Sequence, residues 1–165
     1  MSVNVKIAGQ FVSRGTIDRL KKYANLLTKW NPKINLVSGS TIKNLWSRHI
    51  EDSAQIFTLV PDVEGSWVDL GSGGGFPGLV IAILAQGSNS NLQVTLVESD
   101  ARKATFLRTV IRECKLSVRV LTNRIESLPS LQADVISARA LAELPELLRF
   151  ADLHLRPNGT ALFQK

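Results

Sequence analysis

The sequence predicts an α/β fold, a doubly wound and mostly parallel sheet set behind N-terminal helices, and three observations predict it. From residue 66 onward, short apolar runs rich in β-branched residues alternate with segments of helix length, the rhythm of right-handed strand–helix–strand crossovers. The runs are apolar almost throughout rather than alternating, as strands covered on both faces are. A glycine-rich turn, Val68-Asp69-Leu70-Gly71-Ser72-Gly73-Gly74-Gly75-Phe76-Pro77-Gly78, joins the first run to the first helical segment after it, where sheets of this kind place their ligands.

In chain order, residues 16–30 come first. Ile17, Leu20, Tyr23, Ala24, Leu27 and Trp30 recur at three-to-four spacing, which predicts an amphipathic helix capped by Thr16 and ended by Asn31-Pro32. A second stripe, Ile42, Leu45, Trp46, His49, Ile50, Ser53 and Phe57, predicts a helix capped by Ser40 or Thr41 and running to Pro61. The strand candidates are 67–70, 94–98, 118–122, 134–138 and 160–164, with helices near 77–86, 101–114 and 143–154 between them. Pro77 suits a first helical turn, and Pro157-Asn158-Gly159 is expected to stop the chain after the last helix. Residues 123–132 are short for a crossover and are expected to hold a single helical turn. The resulting division is a basic helical region over 1–62 and a sheet domain over 63–165.

Charge separates the same two regions. Residues 1–60 hold nine Lys and Arg against three acids, whereas residues 61–165 hold eleven of each sign, so the whole net charge of +6 lies in the N-terminal third. Such a bias suits a polyanion, with Lys21, Lys22, Lys29 and Lys33 as phosphate contacts, and it equally describes a solvated helix surface. The single Cys114 cannot form an internal disulfide, the first ten residues lack the apolar run of a secretory signal, and no stretch approaches the roughly 20 apolar residues that span a bilayer. A reduced, cytoplasmic location without membrane attachment is the expectation. Two histidines and one cysteine give no metal-ligand spacing.

The glycine turn admits two ligands. Gly73-Gly74-Gly75-Phe76-Pro77-Gly78 satisfies the dinucleotide pattern, and Glu98 follows at the distance of a ribose-binding acid, so an NAD-dependent oxidoreductase fits the pattern. Asp69 argues against it. A carboxylate at the mouth of the turn repels a pyrophosphate but suits a ligand carrying a sulfonium and an ammonium group, as S-adenosylmethionine does. On that reading the cofactor's cationic end meets Asp69, its carboxylate takes amides of the turn around Ser72, Gly73 and Gly75, and its ribose meets Glu98.

Four segments carry a resemblance: 35–53 with Arg48-His49-x-x-Asp52-Ser53, 68–85 with Gly75-Phe76-Pro77-Gly78, 94–110, and 134–148 with Ser137-x-Arg139-Ala140. Together they resemble the bacterial small-subunit rRNA guanine-N7 methyltransferases, also called glucose-inhibited division protein B, from about residue 14 to the last. The resemblance implies a Rossmann-like S-adenosylmethionine-dependent methyltransferase fold and methyl transfer to N7 of a guanine in the 530 loop of 16S rRNA, on naked RNA or in the small ribosomal subunit. It places cofactor contacts on Gly71, Phe76, Ile125, Glu126 and Arg139, and puts Arg48, His49 and Pro77 on the rim facing RNA. By periodicity alone, His49, Trp30 and Trp46 read as packed before they read as catalytic or base-stacking. No general base is assigned, because guanine N7 offers a lone pair and carries no proton to remove; Arg139 is a candidate for positioning substrate or cofactor. The family's sheet continues through two more strands, so residues 160–164 are expected to form an exposed edge. A monomer is the expectation, with self-association through that edge as the alternative; an inactive RNA-binding remnant is the alternative to the methyltransferase.

Overall fold

The computed structural model describes residues 5–165; the part of the signal-segment reading that falls on residues 1–4 lies outside them. An antiparallel hairpin, β1 (Val5–Ile7) and β2 (Gln10–Val12), comes first, and the sequence reading does not anticipate it. Its two-residue turn, Ala8-Gly9, takes positive φ at both positions, the geometry that matches the twist of paired strands.

Helix α1 (Arg14–Ile34) is longer at both ends than the apolar stripe. Ser13, not Thr16, is its N-cap, accepting from the Thr16 amide at 3.2 Å. Thr16 is itself buried. Pro32 lies inside the last turn, where the helix continues to Asn35 in the left-handed conformation; the Asn31 side chain takes the Leu36 and Val37 amides at 2.7 and 2.8 Å and holds the exit. The second predicted helix is broken in three. Residues Ile42–Asn44 form a 3₁₀ turn, Trp46–Glu51 a π-helical segment, and α2 (Asp52–Thr58) an α-helix. The wider register in the middle sets His49 and Ile50 inward together.

The remaining elements are β3 (Ser66–Leu70), α3 (Gly78–Gly87), β4 (Gln93–Val97), α4 (Ala101–Glu113), β5 (Val118–Leu121), a 3₁₀ turn at Ile125–Ser127, β6 (Ala133–Arg139), α5 (Leu144–His154) and β7 (Leu155–Gln164). The sheet order is β5-β4-β3-β6-β7, with every pairing parallel. Strand order therefore reverses beside β3, between β4 and β6, and opens a crevice beyond their carboxyl ends. The Pro157-Asn158-Gly159 turn does not stop the chain after α5. Leu155 already pairs with Ala133, and the ladder resumes at Thr160 opposite Val135, so the turn bulges out within β7.

Helix α3 is buried from Gly78 through Ala85, as its uniformly apolar sequence requires. It lies between the sheet and the N-terminal helices. Leu20, Tyr23, Leu27 and Ile50 share one core with Leu79, Ile81, Leu96 and Phe106, all of them without exposed surface, so residues before 62 are packed into the sheet's own core. Each such side chain is worth about 1.5–3 kcal/mol of burial. A second, smaller core under α5 joins Val68, Leu70, Val97, Ile136, Ala138 and Leu147.

Candidate functional site

The turn after β3 is built from its own hydrogen bonds. Gly71, Gly73 and Gly75 all take positive φ, a conformation glycine reaches without a Cβ clash. The Ser72 amide donates to the Val97 carbonyl at 3.0 Å, the Gly75 amide to the Ser72 carbonyl at 2.7 Å, and the Gly73 amide to Glu98 Oε2 at 2.6 Å. Glu98 Oε1 accepts from the Asp100 amide at 3.0 Å. Three of the amides expected to cradle a ligand carboxylate are thus used within the protein. Each Glu98 oxygen keeps a further lone pair.

Asp69 stands elsewhere than the sequence reading puts it. It is 1% exposed; Ser137 Oγ donates to its Oδ1 at 2.7 Å and the Gly78 amide to its Oδ2 at 3.2 Å. Ser137 in turn accepts from Trp67 Nε1 at 2.9 Å. The carboxylate therefore seats the first amide of α3 on the sheet and does not open into the crevice. Burial raises its pKa from 3.8 to about 6, the bonds from Ser137, Ser72 and Gly78 opposing that rise and the charge of Glu98 adding to it. The first amide of α3, which would face a pyrophosphate in a dinucleotide site, already faces the protein's own carboxylate.

The crevice itself is a cleft of about 360 Å³, within the range of small-molecule sites. Six predicted residues line it: Gly71, Gly73, Glu98, Ile125, Glu126 and Arg139. Asp69, Ser72, Gly75 and Phe76 stand buried behind the wall. Sequence reasoning missed Leu141, Glu146 and Phe150. The last two are one turn apart on α5, and that spacing is the signal that was available. Among the described residues no cluster of His, Cys, Asp and Glu could hold a metal ion. Cys114 is buried at the end of α4, its thiol pKa raised by that burial.

Beside the cleft, three rings are stacked: Tyr23 and Phe76 at 5.2 Å and His49 and Phe76 at 5.0 Å between centroids, with the Arg139 guanidinium 5.6 Å over the Phe76 ring. Tyr23 donates its hydroxyl to the Gly74 carbonyl, and burial raises its pKa, keeping it a donor. Arg139 bonds His49 Nδ1, and His49 Nε2 bonds Thr41 Oγ1 at 2.8 Å. His49 is 5% exposed and Pro77 is buried, so neither stands on an RNA-facing rim; only Arg48 of that trio is exposed. The lysines Lys21, Lys22, Lys29 and Lys33 are all exposed. Lys22 reaches the Glu113 carbonyl at 3.3 Å, at the far end of α4, and Lys21, Lys22 and Lys29 line one shallow groove along α1 with Asp18 and Asn25.

Burial first and the Arg139 charge second lower the His49 pKa from 6.5 to about 4, against the opposing charge of Asp52. The folded chain thus holds fewer protons at His49 than the unfolded chain between those values, and loses about 3 kcal/mol as pH falls from 6.5 to 4. Asp69 has the opposite sign: its raised pKa contributes stability that is lost as pH rises from 3.8 to about 6, again about 3 kcal/mol. The two slopes cancel in the native chain. Urea unfolding across pH 4.5–6.5 should show Asp69→Asn gaining stability with pH and His49→Asn losing it, both relative to the parent; parallel curves for all three would refute the assignment.

A family model described as "rRNA small subunit methyltransferase G" matches residues 16–165. A curated relative of that name from Ruegeria sp. (strain TM1040) is 54% identical over 154 residues, covering 93% of this chain and 75% of the relative. Another, from Paracoccus denitrificans (strain Pd 1222), is 51% identical over 155 residues, covering 93% and 78%. Among solved structures, an S-adenosylmethionine-dependent methyltransferase from Geobacter sulfurreducens, in complex with S-adenosyl-L-homocysteine, superposes with a TM-score of 0.59 at 15% identity over 84% of this chain and 54% of that one; that likeness shows the fold. With the family model spanning nearly the whole sheet and helices, and relatives more than half identical across it, the chain belongs to the rRNA small subunit methyltransferase G family.

Proposed function

We propose that this chain transfers the methyl group of S-adenosylmethionine to N7 of a guanine in the 530 loop of 16S rRNA. The observation that carries the reading is the cleft at the sheet's switch point, walled by the glycine turn and Glu98 in a chain of this family. Glu98 takes the ribose hydroxyls. The Ile125–Glu126 segment holds adenine, and Arg139 supplies the positive charge for the cofactor's carboxylate that the occupied amides of the turn do not. Asp69 acts one step back, fixing α3 and the turn.

S-adenosylmethionine supplies an electrophilic methyl on sulfonium. The protein's part is alignment, since N7 attacks with a free lone pair and no proton leaves. Ser137-Ala138-Arg139-Ala140 at the end of β6 holds none of the side chains that methylation of an exocyclic amine uses, and Cys114 is buried away from the cleft, where a thiolate for carbon methylation is not formed. The substrate is RNA of the small subunit, which locates the reaction in the cytoplasm. Among the described residues no helix is long and apolar enough to cross a membrane.

Incubation of the chain with radiolabelled S-adenosylmethionine and unmodified small subunits or 16S rRNA tests the reading, with the product mapped by strand scission at 7-methylguanine. Label at a single guanine in the 530 loop is the expected result; label on another base or atom contradicts it. The exposed lysines give a second check. Each phosphate contact steepens the salt dependence of binding by about 0.9 on duplex and about 0.7 on single strands. Replacing Lys21, Lys22, Lys29 and Lys33 together by alanine should therefore make the slope shallower by more than one, measured by filter binding across salt.

A further inference from the structure

We infer that His49 is a positioning residue whose neutral ring holds the Arg139 guanidinium in the cofactor cleft without neutralising its charge. The inference rests on the cofactor reading above and names a residue that reading does not use. The hydrogen bonds that run from Arg139 through His49 and Thr41 to Ser38 have fixed directions. Arginine only donates, so His49 Nδ1 is the acceptor and carries no proton. The ring's proton is then on Nε2, which donates to Thr41 Oγ1 at 2.8 Å, and the Thr41 hydroxyl donates to the Ser38 carbonyl at 2.9 Å. A backbone carbonyl can only accept, so it fixes the hydroxyl, the hydroxyl fixes the tautomer, and the tautomer fixes the arginine. The π-helical register over Trp46–Glu51 buries His49, and the Phe76 ring lies 5.0 Å from the imidazole and 5.6 Å from the guanidinium carbon, closing the pair from one side.

The choice of partner has a chemical consequence. A buried arginine is most often held by a carboxylate, which gives a stronger bond but cancels its charge. Among the described residues none of the four salt bridges involves Arg139, and the acid that acts on it most strongly, Asp52, is exposed and acts through space. Imidazole orients the fork and leaves the full positive charge for an anion in the cleft. The cofactor's carboxylate is that anion, because the Ser72, Gly73 and Gly75 amides are already used.

Two experiments on the full chain separate this inference from the cofactor reading. Nitrogen NMR of the imidazole rings, without any ligand, reports the tautomer; the chain has two histidines, and His49→Asn assigns the signals by deletion. The Nε2–H form at neutral pH is expected. An Nδ1–H form or an imidazolium overturns the inference. Calorimetric titration with S-adenosylmethionine then compares folded variants. His49→Asp keeps an acceptor for Arg139 but neutralises it, and should weaken binding about tenfold or more; His49→Asn keeps a neutral acceptor and should lose only a few-fold. If His49 merely fills space, Asp and Asn lose alike, and if it merely anchors Arg139, Asp binds better than Asn; either result overturns the inference. A parent chain that shows the Nε2–H tautomer yet binds no S-adenosylmethionine overturns the cofactor reading and leaves the His49–Arg139 pairing supported by its own measurement.

Discussion

Replacing Gly78 by alanine should destabilise the chain by about 3 kcal/mol and abolish cofactor binding at ambient temperature. The reason is close approach rather than backbone freedom. Gly78 opens α3, and an added Cβ would lie 2.6 Å from Asp69 Oδ2 and 2.8 Å from Asp69 Cβ, and against Leu96 as well. Neither neighbour can give way. Asp69 is fixed by Ser137 and by the Gly78 amide itself, and Leu96 is fully buried in β4. Moving α3 outward breaks the Gly78 bond and leaves a buried carboxylate short of a donor, adding to the steric cost. Urea titration measures the loss. Gly39→Ala is the control: an added Cβ there meets nothing within 4 Å, and stability should change by no more than about 0.5 kcal/mol.

The second large effect falls on chemistry. Arg139→Ala should lower kcat/KM for methyl transfer about a hundredfold, with the fold retained. Arg139 ends β6, lines the cleft and spans to His49, so its removal takes away the positive charge in the wall and leaves His49 Nδ1 without a donor. Arg139→Lys should recover little, because a single ammonium cannot reach His49 and the cleft together as the planar fork does. Initial methylation rates at saturating RNA over a range of S-adenosylmethionine concentrations measure it. A variant within threefold of the parent would remove Arg139 from the site.

Much of the fold could be read in advance because its signals are local. The five strands of the sheet lie within a residue or two of their apolar runs, except β7, which begins five residues early because Leu155 pairs with Ala133 before the Pro-Asn-Gly bulge. What periodicity could not give was hydrogen-bond register. The stripe from Ile42 to Phe57 has the right faces for one helix, yet the chain changes from 3₁₀ to π to α within it, and a one-residue change of register leaves little trace in an apolar pattern. The β1–β2 hairpin was missed because strands of three residues are too short to show alternation.

The site divides in the same way. The glycine turn, Glu98 and Arg139 could be placed because the strand ends place them. Asp69 could be located but its direction could not: the sequence puts a carboxylate beside the turn, and only packing shows that Ser137, seventy residues beyond Trp67, and the first amide of α3 turn it inward. His49 reads as a packed residue from its stripe, which is correct, while its link to Arg139 joins positions 90 residues apart and has no local signal.

The most direct test of the cofactor cleft is calorimetric titration of the purified chain with S-adenosylmethionine, with NAD as the control ligand and Glu98→Gln in parallel. The expected result is one site for S-adenosylmethionine, weakened at least tenfold in Glu98→Gln, and no heat with NAD. Binding of NAD in preference, or S-adenosylmethionine binding that Glu98→Gln leaves unchanged, would contradict it.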